Sequence, residues 1–544
     1  MKVDLVWLSN GTDLLNWPLG KVIPVASNPT ALAGIARENL VGSDADAWLF
    51  WDSRFGDPAE EAILQALETG DHAWHAGLRL DTGGQPDFID FVSPTWMLNR
   101  DPEPDIEATS WRLSLRACLI RTEVLKQLGG PRGDFDSLDA AGLELGLRYI
   151  RNGVFIRHLP ALVQKTVTAD RLDIPVIDQL RFIKLGFGTR WMNWAVMRAF
   201  LSGRASLGEL LSSRKKVQKN LQDSNISSFA HPQAASGRSI TAQGVSVLIP
   251  TINRYPYLRV LLGQLRSQTV KPLEIHVIDQ TPEQDRDRLI SQEFEDLPLK
   301  WFTMEKAGQC SSRNYGLQKA AGDFILFLDD DDEIPPDLIE SHLKSLVEFN
   351  CRVSNGVALE TGMQTLPNDF TFLRLSNVFP TNNSMIDKSV LSNSGLFDLA
   401  YDHGQRADGD LGMRIYLSGE RMVLNPAISV LHHHAPQGGL RTHKARVKTH
   451  AASRQSISLR VLPSVSDIYL AKRYFSSSQV REMLWISVLG TFSLHGQLWK
   501  KMLKMLVSLI ALPGTLWKIK QNCRTAEKMM ESFPQIPALE DKAD

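Results

Sequence analysis

Four consecutive acids, Asp329 to Asp332, follow the apolar run from Phe324 to Leu328. Adjacent carboxylates repel one another, and the end of an apolar strand has no structural need for them. A divalent cation relieves that repulsion and leaves positions for phosphate oxygens, as in Mg2+ sites built on one or two carboxylates. The rival reading is a solvated acidic loop capping a helix near Pro335, because acids favour helix N-termini. A second acidic pair, Asp408 and Asp410, precedes Arg414. One such carboxylate can take the proton of an attacking hydroxyl, whereas Asp410 can pair with Arg414 at i+4. His432, His433 and His434 follow the apolar run 428–431. A neutral imidazole at a strand end can complete a metal shell. His432 and His434 share a side if the strand continues, and at least one of the three is expected to be a surface loop residue.

These groups need a scaffold, and alternating patterns supply one. The β-branched run 245–250 stops at Pro250-Thr251 and predicts a buried strand entering a loop. Helical spacing follows over 257–268, a strand over 274–279, a helix over 311–321 closed by Gly322, and a strand over 324–328. Units of this length argue for a doubly wound sheet, whose ligands sit beyond the carboxyl ends of the strands. Asp279 and the acidic cluster both fall at such ends.

The same pattern occurs earlier in the chain. Asp46 to Arg54 aligns without gaps on Asp323 to Asp331, and Gly142 to Arg148 aligns on Asp408 to Arg414. Each second match is followed by a glycine, Gly153 or Gly419. Two matches in register predict duplication of one domain type. In the first copy the third carboxylate position is Arg54, Asp408 is matched by Gly142, and Asp410 by Glu144. The first copy, about one βα unit shorter, is expected to be a scaffold that has lost its chemistry. Because it has also lost the residue matching Asp408, the base is assigned to Asp408 ahead of Asp410.

Residues 245–434 resemble a family 2 glycosyltransferase of the GT-A fold. The resemblance rests on Val-Leu-Ile-Pro-Thr-Ile-Asn-Arg ending at Arg254, on Glu274 to Asp279, and on Gly308 through Arg313-Asn314-Tyr-Gly316 to Gly322-Asp323. It ends on Asp329-Asp330-Asp331, read as the DxD motif. It covers about a third of the chain. Two departures are Gln280-Thr281, where many members have a second acid and Gly-Ser, and Ala407, where members usually have Glu. The resemblance implies inverting, metal-dependent transfer of a sugar from a nucleotide-diphosphate donor to the hydroxyl of a glycan or lipid-linked glycan, in bacterial surface polysaccharide assembly. It implies that Pro250, Thr251, Asn253, Arg254, Asp279, Arg313, Asp329 and Asp330 bind the nucleotide-sugar. Thr251 and Asp279 would line the base and ribose pocket, and Arg313 would approach the diphosphate. Asp331, with Asp329, His432 and His434, would hold Mn2+ or Mg2+. The loop Pro436 to Gly439 is expected to order over the donor, with Arg441 near a phosphate. A processive synthase is disfavoured because no Gln-x-x-Arg-Trp follows Asp408. A sugar nucleotidyltransferase would open with a Gly-rich basic loop, which is absent here; a non-catalytic glycan-binding scaffold is the remaining alternative.

The expected class is therefore α/β, with a GT-A-like doubly wound mixed sheet present twice and a helical C-terminal region. The divisions are 1–201 (degenerate copy), 202–243 (helix tip and linker), 244–440 (catalytic) and 441–544 (helical, basic). Composition agrees with such folded domains. The 544 residues include 60 Lys+Arg against 61 Asp+Glu, which argues against a nucleic-acid-coating protein. Four cysteines without a CxxC pair argue against a zinc or disulfide framework. The start carries Asp4 and Asp13 in its apolar stretch, so no signal peptide is expected. The apolar stretch from Met505 to Trp517 is broken by Pro513 and Gly514 and is shorter than the ~20 residues of a membrane span. A cytoplasmic protein, at most at the inner membrane face, is expected. Trp485, Trp499 and Trp517 among lysines fit either packing on the catalytic domain or a membrane interface. Oligomeric state is not legible.

Overall fold

The computed structural model describes residues 1–9, 16–40, 42–76, 87–164, 174–220, 228–231, 244–363, 365–435, 439 and 450–540. It is an α/β structure with two mixed sheets and a helical C-terminal region, the class expected above. The first sheet contains β1 (Val3–Leu8), β2 (Val22–Val25), β3 (Ala47–Asp52), β4 (Ala73–His75), β5 (Ala108–Thr109), β6 (Ala117–Arg121) and β7 (Ile156–His158). Its order is β2-β1-β3-β6-β4-β7-β5.

The second sheet contains β8 (Val245–Thr251), β9 (Glu274–Asp279), β10 (Leu299–Thr303), β11 (Phe324–Phe327), β12 (Asp332–Glu333), β13 (Val353–Glu360), β14 (Arg374–Leu375), β15 (Ser384–Asp387) and β16 (Met422–His432). The order is β10-β9-β8-β11-β15-β13-β16-β12, with β14 also paired to β16. Strands β1, β3 and β9 are buried along their whole length, as parallel strands covered on both faces must be.

The two sheets run through the same sequence of pairings. Strands β2, β1 and β3 are mutually parallel neighbours, as are β9, β8 and β11. Next come antiparallel β6 and β4, matched by β15 and β13. Parallel β7 and antiparallel β5 follow, matched by β16 and β14. The second sheet adds β10 at one edge and β12 at the other. Among the described residues the first sheet has no strand at the position of β10.

Local contacts repeat as well. The amide of Thr122 donates to Asp46 O, and that of Lys388 to Asp323 O. Arg148 Nη1 reaches Leu128 O at 2.5 Å, and Arg414 Nη1 reaches Ser394 O. In each case the carbonyl ends a short helix closed by a left-handed glycine, Gly129 or Gly395.

Residues 202–243, read from sequence as a helix tip and linker, hold the helix Leu207–Asn220. Its Leu210 and Val217 are fully buried, which the polar average of the segment hides. One continuous apolar core joins both sheets to the C-terminal helices, and a smaller core with Trp7, Trp51 and Trp74 lies within the first sheet unit. The buried pair Asp71–Arg421 and the Tyr416 hydroxyl on Arg100 O at 2.9 Å tie the two sheet units together.

The C-terminal helices are Val465–Tyr474, Ser477–Gly490, Leu498–Ile510 and Leu512–Ser532. The first two open with capping boxes, Ser464 with Asp467 and Ser476 with Gln479. Arg198 pairs with Glu482, so these helices also grip the first unit.

Candidate active site

Strand β11 delivers the acidic cluster because its apolar residues must be buried and the chain then has to emerge. Directly after it, Asp332 turns back to pair with β16, with Asp332 opposite His432. That register sets the imidazole beside the acids: His432 Nδ1 lies 2.8 Å from Asp332 Oδ1 and 3.7 Å from Asp331 Oδ1. The following backbone closes the same corner, with the His433 amide on Asp331 O at 3.0 Å and the Ala435 amide on Asp331 Oδ2 at 2.8 Å.

Ligand atoms of Asp329, Asp331 and His432 all lie within 4.8 Å of one another. Two carboxylates and one imidazole form a donor set suited to a divalent cation. Asp331 Oδ1 is buried, with the Arg254 guanidinium at 3.1 Å and the His432 imidazole at 3.7 Å as its cationic neighbours. The residues present therefore fit a metal ion.

Two guanidinium groups neutralise the cluster. Arg254 Nη1 lies 3.0 Å from Asp330 Oδ1 and 3.1 Å from Asp331 Oδ1. Arg313 Nη2 lies 2.7 Å from Asp329 Oδ1. Burial pushes the Asp330 carboxyl up to about 6, against the pull of Arg254 and the Thr251 hydroxyl. Burial likewise raises Asp332. His432 is held above the ordinary histidine range: burial opposes its charge, but Asp332, Asp329 and Asp331 outweigh it.

The other residues singled out from sequence fall in two groups. Pro250 and Thr251 end β8, and Thr251 Oγ1 donates to Asp330 Oδ2 at 2.8 Å. Asn253 takes a left-handed φ of 56°, and its amide donates to Thr281 Oγ1 at 2.9 Å. These residues, Arg254, Arg313 and the acids form one connected wall.

Three of the residues singled out make other contacts in this structure. Asp279 is buried: Tyr255 OH donates to its Oδ2 at 2.8 Å and the Thr281 amide to its Oδ1 at 2.9 Å. His434 stands outside the ligand group and meets Glu360 Oε1 at 3.3 Å; its φ of 51° marks the chain turning out of the strand alternation. Asp410 is fully buried and takes Arg414 Nε and Nη2 at 3.0 and 2.8 Å, the i+4 pairing read from the sequence.

Asp408, in the first turn of the helix Ala407–Leu417, is exposed. No hydrogen bond or ion pair to it occurs among the described residues. The loop before that helix is tied to the acidic cluster through the helix Gln309–Lys319. Asp402 Oδ1 accepts the Cys310 and Ser311 amides at 2.8 Å each, capping the helix that carries Arg313.

Sequence reasoning missed Asp402 and the role of Asp332 in orienting His432. No motif marks a capping acid ninety residues away, whereas the run of four acids held a signal for Asp332. Pro436, Gln437, Gly438 and Arg441 lie outside the described residues. Gly439 has a φ of 77°, a backbone conformation that favours glycine, and it stands against the Arg254 guanidinium.

The matching corner of the first sheet is closed by ion pairs. Asp52, at the end of β3, takes Arg54 Nη2 at 2.7 Å and Arg116 Nη1 at 3.0 Å. At Gly142 a Cβ would lie 2.5 Å from Leu113 O, so no carboxylate can stand there.

Residues 246–390 match the family described as Glycosyl transferase family 2. Among curated relatives, Glycosyltransferase GlyA of Streptococcus pneumoniae serotype 4 is 32% identical over 114 residues, 21% of this chain and 16% of that protein. GalNAc(5)-diNAcBac-PP-undecaprenol beta-1,3-glucosyltransferase of Campylobacter jejuni subsp. jejuni serotype O:2 is 29% identical over 167 residues, 27% of this chain and 53% of that protein. The chain thus spans about half the length or less of these relatives. Two solved structures are similar at lower identity. S. aureus TarS 1-349 in complex with UDP has a TM-score of 0.36 at 18% identity, covering 54% of this chain and 92% of that one. Mannosyltransferase PcManGT from Pyrobaculum calidifontis in complex with GDP-Man and Mn2+ has a TM-score of 0.36 at 17% identity, covering 63% and 99%. The stretch that carries β8 to β15 and the acidic cluster, residues 246–390, is a glycosyl transferase family 2 domain.

Proposed function

We propose that this chain transfers a sugar from a nucleotide-diphosphate donor to a hydroxyl of a glycan or lipid-linked glycan, with inversion at the anomeric carbon. The observation that carries the reading is the Asp329, Asp331 and His432 group at the end of β11, inside the matched family domain. Those three residues would hold a divalent cation, which supplies positive charge to the departing diphosphate.

The chain's own residues account for the remaining steps. Arg254 and Arg313 bring guanidinium groups to the acids and are placed to meet phosphate oxygens once carboxylate charge is taken up elsewhere. Asp408 takes the proton from the acceptor hydroxyl as that oxygen attacks the anomeric carbon, a task that needs an accessible carboxylate. Arg414 and Tyr474 hold Asp410 and so fix the start of the helix that presents Asp408. A lipid-linked acceptor draws support from the name of the Campylobacter relative, an undecaprenol-linked glucosyltransferase.

Residues 1–201 are proposed as a degenerate copy of the same domain that positions acceptor or contacts another subunit. The shared strand order supports a common origin, and the ion pairs on Asp52 support loss of its metal site. The experiment is calorimetric binding of UDP, GDP and dTDP, with and without Mn2+, to wild type and Asp331→Ala. Metal-dependent binding of one nucleotide, lost in the variant, is the expected result. Absence of binding for all three with metal present would favour the non-catalytic scaffold.

A further inference from the structure

The helix Leu498–Ile510 is inside out. Its face toward the protein is polar: Lys504 is 0% exposed, and its Nζ donates to the carbonyls of Ser453, Ser456 and Leu459 at 3.0, 2.6 and 2.9 Å. Ser508 beside it is buried on Thr491 O at 2.9 Å. The outward face is apolar, with Leu506 55% and Ile510 73% exposed and Leu498, Trp499 and Met502 also exposed. A helix of a water-soluble surface has the opposite arrangement, with the apolar stripe toward the core.

The helix Leu512–Ser532 follows at a bend of 59° and continues this surface with exposed Leu516 and Trp517. Leu516 also lines an open groove of about 520 Å³ with Leu484, Trp485 and Ile519. Residues 498–526 contain six Lys or Arg and no Asp or Glu, and five of those cations, Lys500, Lys501, Lys518, Lys520 and Arg524, are exposed.

We propose that this surface docks the protein onto an anionic lipid bilayer, lying in the interface without crossing it. Independently of the transfer reaction, three features select that occupant. Exposed leucines, methionines and tryptophans beside lysines match the acyl and headgroup layers. The exposed Lys500, Lys501, Lys518 and Lys520 match anionic headgroups; a second copy on this face would bring the same positive charge against itself. No single helix among the described residues is long and apolar enough to cross: the thirteen residues of Leu498–Ile510 span roughly 20 Å against a ~30 Å hydrocarbon core, and the pair with Leu512–Ser532, which would suffice by length and composition, is bent by 59°. The mid-helix Lys504 is fixed to the protein.

The test is co-sedimentation of the full chain with vesicles of phosphatidylcholine alone and of phosphatidylcholine mixed with phosphatidylglycerol, at low and high salt. Wild type is expected to sediment with the anionic vesicles, at least about tenfold more than with the neutral ones, and less at high salt. Leu506→Glu with Ile510→Glu should lower that binding about tenfold or more while circular dichroism and thermal melting remain those of wild type. Lys500→Glu with Lys501→Glu, which alters only exposed head groups, should remove the anionic preference and serves if the first variant misfolds. The proposal is overturned if wild type stays in the supernatant with both vesicle types, or if the variants bind as wild type does. It is also overturned if the first variant dissociates a solution dimer while wild type binds no vesicles.

Discussion

The Tyr474 hydroxyl donates to Asp410 Oδ1 at 2.7 Å, while Arg414 holds Oδ2 of the same carboxylate. A residue of the C-terminal region thereby completes the only charged group buried in the first turn of the helix Ala407–Leu417. Removing the hydroxyl leaves one oxygen of a buried carboxylate unpaired. Tyr474→Phe should lower stability by about 1–3 kcal/mol in denaturant unfolding. A change within experimental error would mean that this contact does not hold the helix start.

The two acids of that turn should separate cleanly. Asp408→Asn is expected to cut sugar transfer by roughly 10²–10⁴, with stability within about 0.5 kcal/mol of wild type because the site is exposed. Nucleotide binding by calorimetry should be unchanged. Asp410→Asn strands the Arg414 charge and should cost about 3–5 kcal/mol in unfolding experiments. If Asp410→Asn proved stable and inactive, the assignment of the base would reverse.

Backbone approach in the first sheet unit makes another test. Gly142→Ala drives a Cβ to 2.5 Å from Leu113 O, so helix or loop backbone must shift. A destabilisation of about 2–3 kcal/mol is expected by thermal melting. Gly34→Ala, inside the helix Pro29–Leu40 with nothing within 4 Å, should instead stabilise by about 0.5–1 kcal/mol.

Glu274 predicts an acid-sensitive contribution to stability. Burial alone would raise its carboxyl, but the Ala321 amide, Lys300 and the Ser246 hydroxyl bring it down from 4.5 to about 2. A carboxyl depressed on folding stabilises fully above its unfolded value, and the contribution fades as pH falls from about 4.5 toward 2. Glu274→Gln should therefore cost roughly 2–3 kcal/mol at neutral pH, and the gap to wild type should shrink on acidification below about 4.5. A gap that is independent of pH would show the effect to be packing alone.

Much of the second sheet unit was legible from periodicity, since a buried parallel strand must be apolar throughout. The strand Glu274–Asp279 coincides with its sequence reading, and Val245–Thr251 differs by one residue. The helix Leu207–Asn220 was not legible: among its described residues the buried apolar ones are Leu210 and Val217, too few to stand out in a polar segment. The acids Asp329 to Asp331 were legible because a run of like charges after an apolar strand needs a reason. Asp402 was not, because a cap is made by whichever acid the fold brings to a helix start.

Sequence by itself determined which residue types stand at strand ends, since burial and like-charge repulsion act along the chain. Only the tertiary structure decided what each of them does. Register between β12 and β16 puts His432 against the acids, while the turn after it sends His434 to Glu360. Burial separates Asp410 from Asp408 although they sit two residues apart. In the C-terminal region the sequence showed lysines mixed with apolar residues. Folding chose the inward face, because three backbone carbonyls could satisfy the Lys504 charge and left the leucines outside.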